Sequence, residues 1–307
     1  MDLFLTLLSN IAPLYIIIAL GWIAGRFYEV DRGSLASLAI YIIVPVVSFY
    51  YVSSLEFKAA YIALPLVVYS TFSFVTLLFY RIGRSVYADK RANLLAMCAS
   101  ASNTGYLGLP IVILLFPPEW VGVYVFALSG GLLYEATIMY YIANRGNFSP
   151  RASVIRVLQF PVLYAIFAGL LVNYTGFELP AQLDAFWTYF KGAYVVIGMM
   201  IVGCSLSKVS KLVISPKFLA LTFAGQFVLW PLIAFALIAI DNAALHLFDP
   251  QVHKMFMIMA IVPPAANIAA FAAKLDLNPE KAATTVLMGT IFALFYIPAV
   301  LVISGLH

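Results

Sequence analysis

The stretch from Ser100 to Phe116, SASNTGYLGLPIVILLF, decides how this chain is read. It is apolar enough to lie inside a membrane, yet Asn103, Thr104, Gly105, Gly108 and Pro110 sit in its middle. Such residues weaken a helix, glycine by about 1 kcal/mol and proline by about 3 kcal/mol relative to alanine. In hydrocarbon an unpaired backbone group is costly. A break at this point is therefore either sealed by neighbouring helices or used by the protein.

The composition around the stretch defines the class. Apolar residues make up 64% of the 307 and charged residues 10%, against about 45–50% and about 25% in soluble domains. The sequence predicts an all-α integral membrane protein embedded in the lipid bilayer. Apolar spans fall near 10–27, 35–53, 60–80, 92–115, 121–143, 156–174, 187–206, 216–240, 252–273 and 282–304. Lys58, Lys191 and Lys254 fall on one side of this ten-span arrangement, and the remaining Lys and Arg side chains on the other. Under the positive-inside rule the richer side is cytoplasmic, which puts both termini outside a cell (inner) membrane. The start, MDLFLTLLSN, lacks the basic region of a signal peptide.

Ten spans divide into two sets of five, 1–145 and 146–307. Because five is odd, the second set runs inverted. Internal echoes fit that division. Pro13 and Gly21 in span 1 match Pro161 and Gly169 in span 6, and Pro118-Glu119 matches Pro279-Glu280. The offset of the second match carries Asn103 onto Pro264, in VPPAANIAAFAAK. Two helices broken at matching places in inverted repeats predict a binding site. Each break starts a half-helix whose free N–H groups carry a partial positive charge. One begins after Asn103, Thr104 and Gly105, the other after Pro263 and Pro264. Such ends hold an anion without a buried cation, and Asn103 and Asn267 add amide donors.

Glu135, in GLLYEATIMYY, is the only acidic residue deep in a span. It reads either as a proton carrier or as a protonated, structural hydrogen-bonding group. Gln159, Gln226, Ser48, Ser129 and Thr137 read as interhelical hydrogen-bond partners. Cys98 and Cys204 read as small packing residues with no disulfide. His246 and His253 read as solvated residues of the loop between spans 8 and 9, with no metal signature. No nucleotide-binding, cofactor-binding or nucleic-acid-binding motif is present, and no nucleophile–base pair suggests an enzyme.

The SNTGYLGLPI run, with Asn103, Gly105, Gly108 and Pro110, resembles the auxin efflux carrier family, which includes the PIN auxin exporters and bacterial malate and malonate permeases. VPPAANIAAFAAK is similar to that family's second crossover helix, and GCSLSKV also fits it. The resemblance implies the fold of the bile acid sodium symporters. Spans 1, 2, 6 and 7 would form a scaffold domain, and spans 3–5 and 8–10 a transport domain with broken crossover helices 4 and 9. It implies a secondary transporter of a small organic anion, a mono- or dicarboxylate, working by elevator-type alternating access. The implied substrate-binding residues are Asn103, Thr104, Gly105, Tyr106, Gly108, Pro110, Pro263, Pro264 and Asn267, with Glu135 in proton coupling. A homodimer through the scaffold is also implied. Here the loop between the halves is only NRGNFSPRAS, and only Asn267 stands where a sodium site would need an acidic and amide cluster. A carboxylate near an anion site favours proton coupling. The alternative is a ligand-binding membrane sensor on a carrier-like scaffold.

Overall fold

The computed structural model describes residues 2–144, 151, 155, 158–207 and 212–305. The expected boundary between the halves at 145 and 146, and Arg145, Arg156, Lys208 and Lys211, lie outside them. The described residues form α1 (Asp2–Phe27), α2 (Arg32–Ser53), α3 (Ala59–Val86) and α4 (Arg91–Ser100). There follow α5 (Thr104–Leu115), α6 (Pro118–Ala143), α7 (Pro161–Thr175), α8 (Ala181–Ser207) and α9 (Pro216–Leu245). The last are α10 (Pro250–Ile261), α11 (Asn267–Lys274) and α12 (Pro279–Ser304).

Seven of these, α1, α2, α3, α6, α8, α9 and α12, are long and apolar enough to cross a membrane. Four of the other five are shorter for a physical reason. The expected spans near 92–115 and 252–273 are each divided, into α4 and α5 and into α10 and α11, at the helix-breaking residues noted above.

Local chemistry sets the helix ends. Pro118, Pro161, Pro216, Pro250 and Pro279 each open a helix, where a missing N–H costs nothing. Asp31 caps α2, its carboxylate accepting from Ser34 N at 2.7 Å. Gly176, at φ 67°, follows α7 in the left-handed conformation that ends a helix.

Packing is by close pairs. α1 lies along α8, α2 along α7, and α3 against α4 and α6. The α1–α8 contact is made by small residues that let backbones approach. A Cβ on Gly203 would stand 2.0 Å from the Ile18 carbonyl oxygen, and one on Gly21 would stand 2.6 Å from Met200 Cα. The Cys204 thiol, buried in the same seam, donates to the Gly21 carbonyl at 3.2 Å.

One expectation is corrected at the other end of the molecule. His253 is not a solvated loop residue. It lies buried on α10, its Nε2 2.8 Å from Asp241 Oδ2. Asp241 is buried too and accepts from Leu247 N and Phe248 N at 3.0 and 3.1 Å. The polar run misled because α10 starts at Pro250 and turns His253 inward, whereas His246 remains exposed.

Nearby, Lys58 Nζ and the Tyr61 hydroxyl both donate to Asp249 Oδ2, at 2.7 and 2.9 Å. The Lys58 ammonium holds the Asp249 carboxyl below its ordinary range. A depressed folded pKa gives stability that is present at neutral pH and lost as pH falls through that pKa. Asp249→Asn is therefore expected to lower the thermal midpoint slightly at neutral pH and to lose less on acidification than the native chain. A pH series of melting curves checks this.

Candidate functional site

The site is assembled by backbone before side chains. The segment between α4 and α5 meets the segment between α10 and α11, where Ser102 pairs with Pro264 as an isolated antiparallel bridge. Asn103 N donates to the Pro263 carbonyl at 2.8 Å, and Ala265 N to the Ala101 carbonyl at 2.8 Å. Two interrupted helices thus repair part of each other's damage.

Several carbonyls at the breaks also accept from side chains of distant helices. Trp230 Nε1 on α9 donates to Ser100 O at 3.0 Å. Gln226 Nε2, also on α9, donates to Val262 O at 2.7 Å and Ser102 Oγ at 2.6 Å. The Tyr124 hydroxyl on α6 donates to Thr104 O at 3.0 Å, and the Tyr194 hydroxyl on α8 to Gly105 O at 2.7 Å. Asn103 O accepts from Leu107 N and Gly108 N.

The donor side is different. The first turn of a helix leaves N–H groups with no partner inside the helix. Gly105 and Tyr106 stand at the start of α5, Ala266 and Asn267 at the start of α11, and all four line one cavity of about 390 Å³. Asn103, 3% exposed, lines the same cavity, and its side-chain Nδ2 is buried with no hydrogen-bond partner. The carbonyls named above are paired, whereas the Asn103 amide donor and the first N–H groups of α5 and α11 call for an acceptor; the amide oxygens of Gln226 and Asn267 are also unpaired. Helix dipoles at both starts add partial positive charge.

Glu135 reaches the cavity from α6, where it opens a π-turn, Glu135–Met139. Asn267 Nδ2 donates to both of its oxygens at 3.3 Å. Asn267 Oδ1 is buried without a partner. The rest of the wall is largely apolar, with Val44, Leu109, Phe160, Ile166 and Phe271 among its members. This volume and this mixture suit a small organic ligand.

Of the residues singled out from sequence, Asn103, Thr104, Gly105, Tyr106, Asn267 and Glu135 line the cavity. Gly108, Pro110, Pro263 and Pro264 do not line it; they shape the breaks. A Cβ on Gly108 would stand 2.2 Å from the Tyr124 hydroxyl, so glycine leaves that tyrosine room to reach Thr104 O. Pro264 packs on Gly289, where a Cβ would meet its Cδ at 2.7 Å. Gln226 does make the interhelical bonds expected of it.

Arg32, Tyr194, Phe271 and Lys274 also line the cavity, and sequence reasoning did not select them. Arg32 stood in a connection and was counted only towards the charge asymmetry. Tyr194 looked like one of many membrane tyrosines. A start-of-helix arginine facing a broken span was the available signal.

Residues 6–150 match the family model described as membrane transport protein, and residues 192–305 match that of the sodium bile acid symporter family. An uncharacterized transporter of Methanocaldococcus jannaschii is 24% identical over 285 residues, covering 90% of this chain and 90% of that one.

Proposed function

We propose that this chain, whose two parts match models of membrane transport proteins and of sodium bile acid symporters, is a secondary carrier of a small organic anion bearing a carboxylate. The observation that carries this reading is that two helix starts and Asn103, whose buried Nδ2 has no partner, meet at one cavity. A site of that kind holds a carboxylate by hydrogen bonds and helix dipoles. The remaining elements of the proposal are ten spans in two inverted halves and an elevator motion. In that motion α3–α6 and α9–α12 slide against α1, α2, α7 and α8. The close pairing of α1 with α8 and α2 with α7 supports this division. A homodimer through those four helices, in a cell membrane with both termini outside, completes it.

Glu135 and Asn267 form the proposed proton relay. Ionised, Glu135 accepts from Asn267 Nδ2, as observed. Protonated, it donates instead to Asn267 Oδ1, which otherwise has no partner, once the amide turns over. Protonation removes a negative charge beside the anion site, so anion and proton bind together. Binding of the carboxylate is expected to weaken as pH rises. Glu135→Gln, fixed in the neutral form, is expected to bind independently of pH and to exchange substrate without proton-driven accumulation. Titration calorimetry at acid and neutral pH, with uptake driven by a pH gradient, tests this. A pH-dependent affinity that persists in Glu135→Gln would remove Glu135 from the coupling.

The carrier reading itself is tested by counterflow of labelled carboxylates in proteoliposomes. Binding without flux would make the chain a membrane sensor instead.

A further inference from the structure

We propose that Arg32 is a second anion-docking point in the cavity, so that the cavity selects dianions with an apolar spacer over monoanions of equal length. This rests on the carrier reading and deepens it.

Arg32 is costly where it stands. Arg32 is the first residue of α2, and a cation is disfavoured at the positive end of a helix dipole. It is half-buried and lines a largely apolar cavity. Among the described residues no carboxylate forms a salt bridge with it, although the adjoining Asp31 acts on it electrostatically, whereas Lys58, Lys90 and Arg91 each have a salt-bridge partner. Its sequence neighbour Asp31 spends a carboxylate oxygen on Ser34 N and Oγ. Glu135, on the same cavity, is bonded to Asn267.

Geometry then points to a ligand. Arg32 Nε donates to Ser205 Oγ on α8 at 2.5 Å, which holds the side chain in place. Ser205 Oγ in turn donates to Ile201 O at 2.7 Å, so the anchor is itself fixed. The two terminal guanidinium nitrogens have no protein acceptor among the described residues. A planar fork of free donors matches a carboxylate edge-on. The orphaned, nine-tenths buried Asn103 amide marks a second donor at the breaks, just before α5 rather than on α2. Apolar wall, including Val44 on the same helix as Arg32 and Leu109 on the same helix as Gly105, completes the cavity. Two donor groups in an apolar chamber suit a ligand with an acceptor group at each end and methylenes between. Lys274 also lines the cavity, but its side chain is exposed and water screens it.

The test measures affinities of purified protein for malonate, succinate, glutarate, adipate and pimelate, and for butyrate, valerate and hexanoate. The native chain is expected to prefer a diacid over the monoacid of equal length, with an optimum in the series. Arg32→Gln is expected to lose about tenfold in diacid affinity and to leave monoacid affinity unchanged. Arg32→Lys, which keeps the charge without the fork, is expected to fall between them. Asn103→Ala is expected to weaken both series. A native chain with no diacid preference, or an Arg32→Gln variant that retains it, overturns the role of Arg32. If Asn103→Ala leaves every affinity intact, the anion site at the breaks fails as well, and the two failures are thereby distinguished. Should Arg32→Gln not fold, a folded Arg32→Lys with full diacid preference overturns the proposal.

Discussion

Asn103→Ala is expected to weaken carboxylate binding about tenfold to a hundredfold while leaving the protein as stable as before, or more so. The two halves of this result have one cause. Asn103 Nδ2 is buried and bonds to nothing in the protein. Its truncation removes an unsatisfied donor, and such a donor costs about 1–3 kcal/mol where it stands. The backbone of the residue does the structural work, with N donating to Pro263 O and the carbonyl accepting from Leu107 and Gly108, and alanine keeps both. What alanine cannot keep is a hydrogen bond to a bound anion, worth about 1.5–3 kcal/mol. Calorimetric binding and a thermal melt of the same sample measure the two effects together. Loss of stability alongside loss of binding would mean that the amide serves the fold.

Gly203→Ala should give the opposite pattern, a large loss of stability with no direct effect on the cavity. A Cβ at this position would lie 2.0 Å from Ile18 O, 2.6 Å from Trp22 N and 2.8 Å from Gly21 C, all backbone atoms of α1. None of these is the end of a flexible side chain, so α1 and α8 must separate. Overpacking of this kind costs about 1–3 kcal/mol or more, and it falls on the seam that would keep the scaffold rigid. The expected readout is a markedly lower thermal midpoint and poor recovery of folded protein in detergent. Gly105 provides the control, because a Cβ there meets nothing within 4 Å. Gly105→Ala is expected to fold normally. A Gly203→Ala protein as stable as the native chain would show that the helices have room to slide.

How much of this was legible in the sequence differs by level. The helical membrane class follows from composition, and the breaks follow from Asn103-Thr104-Gly105 and Pro263-Pro264. The repeat offset that put Asn103 opposite Pro264 was one residue from the pair that forms, Ser102 with Pro264. Asn267 and Glu135 were each chosen for being polar in an apolar span, and they meet across 132 positions of sequence. The side chains that seal the carbonyls were less legible. Trp230, Tyr124 and Tyr194 are amphipathic residues that look like interfacial belt members until a carbonyl is placed before their polar tips. Arg32 was hidden because a charge at the end of a span is ordinarily explained by snorkelling to water. Which way it points depends on α2 meeting α8, a contact with no local signature. His253 failed for a similar reason, its polar neighbours suggesting a loop where a buried hydrogen bond with Asp241 forms.

The most direct test of the central claim is counterflow. Proteoliposomes loaded with unlabelled succinate would be diluted into trace labelled succinate, with native protein and Asn103→Ala compared at equal reconstitution. The account predicts transient accumulation of label by the native protein, enhanced on the acid side of neutrality, and none by Asn103→Ala. The same loading repeated with glutarate and indole-acetate allows for a carboxylate of another size. Binding of any of these without exchange, or exchange undiminished in Asn103→Ala, would contradict a carrier that holds its anion at the helix breaks.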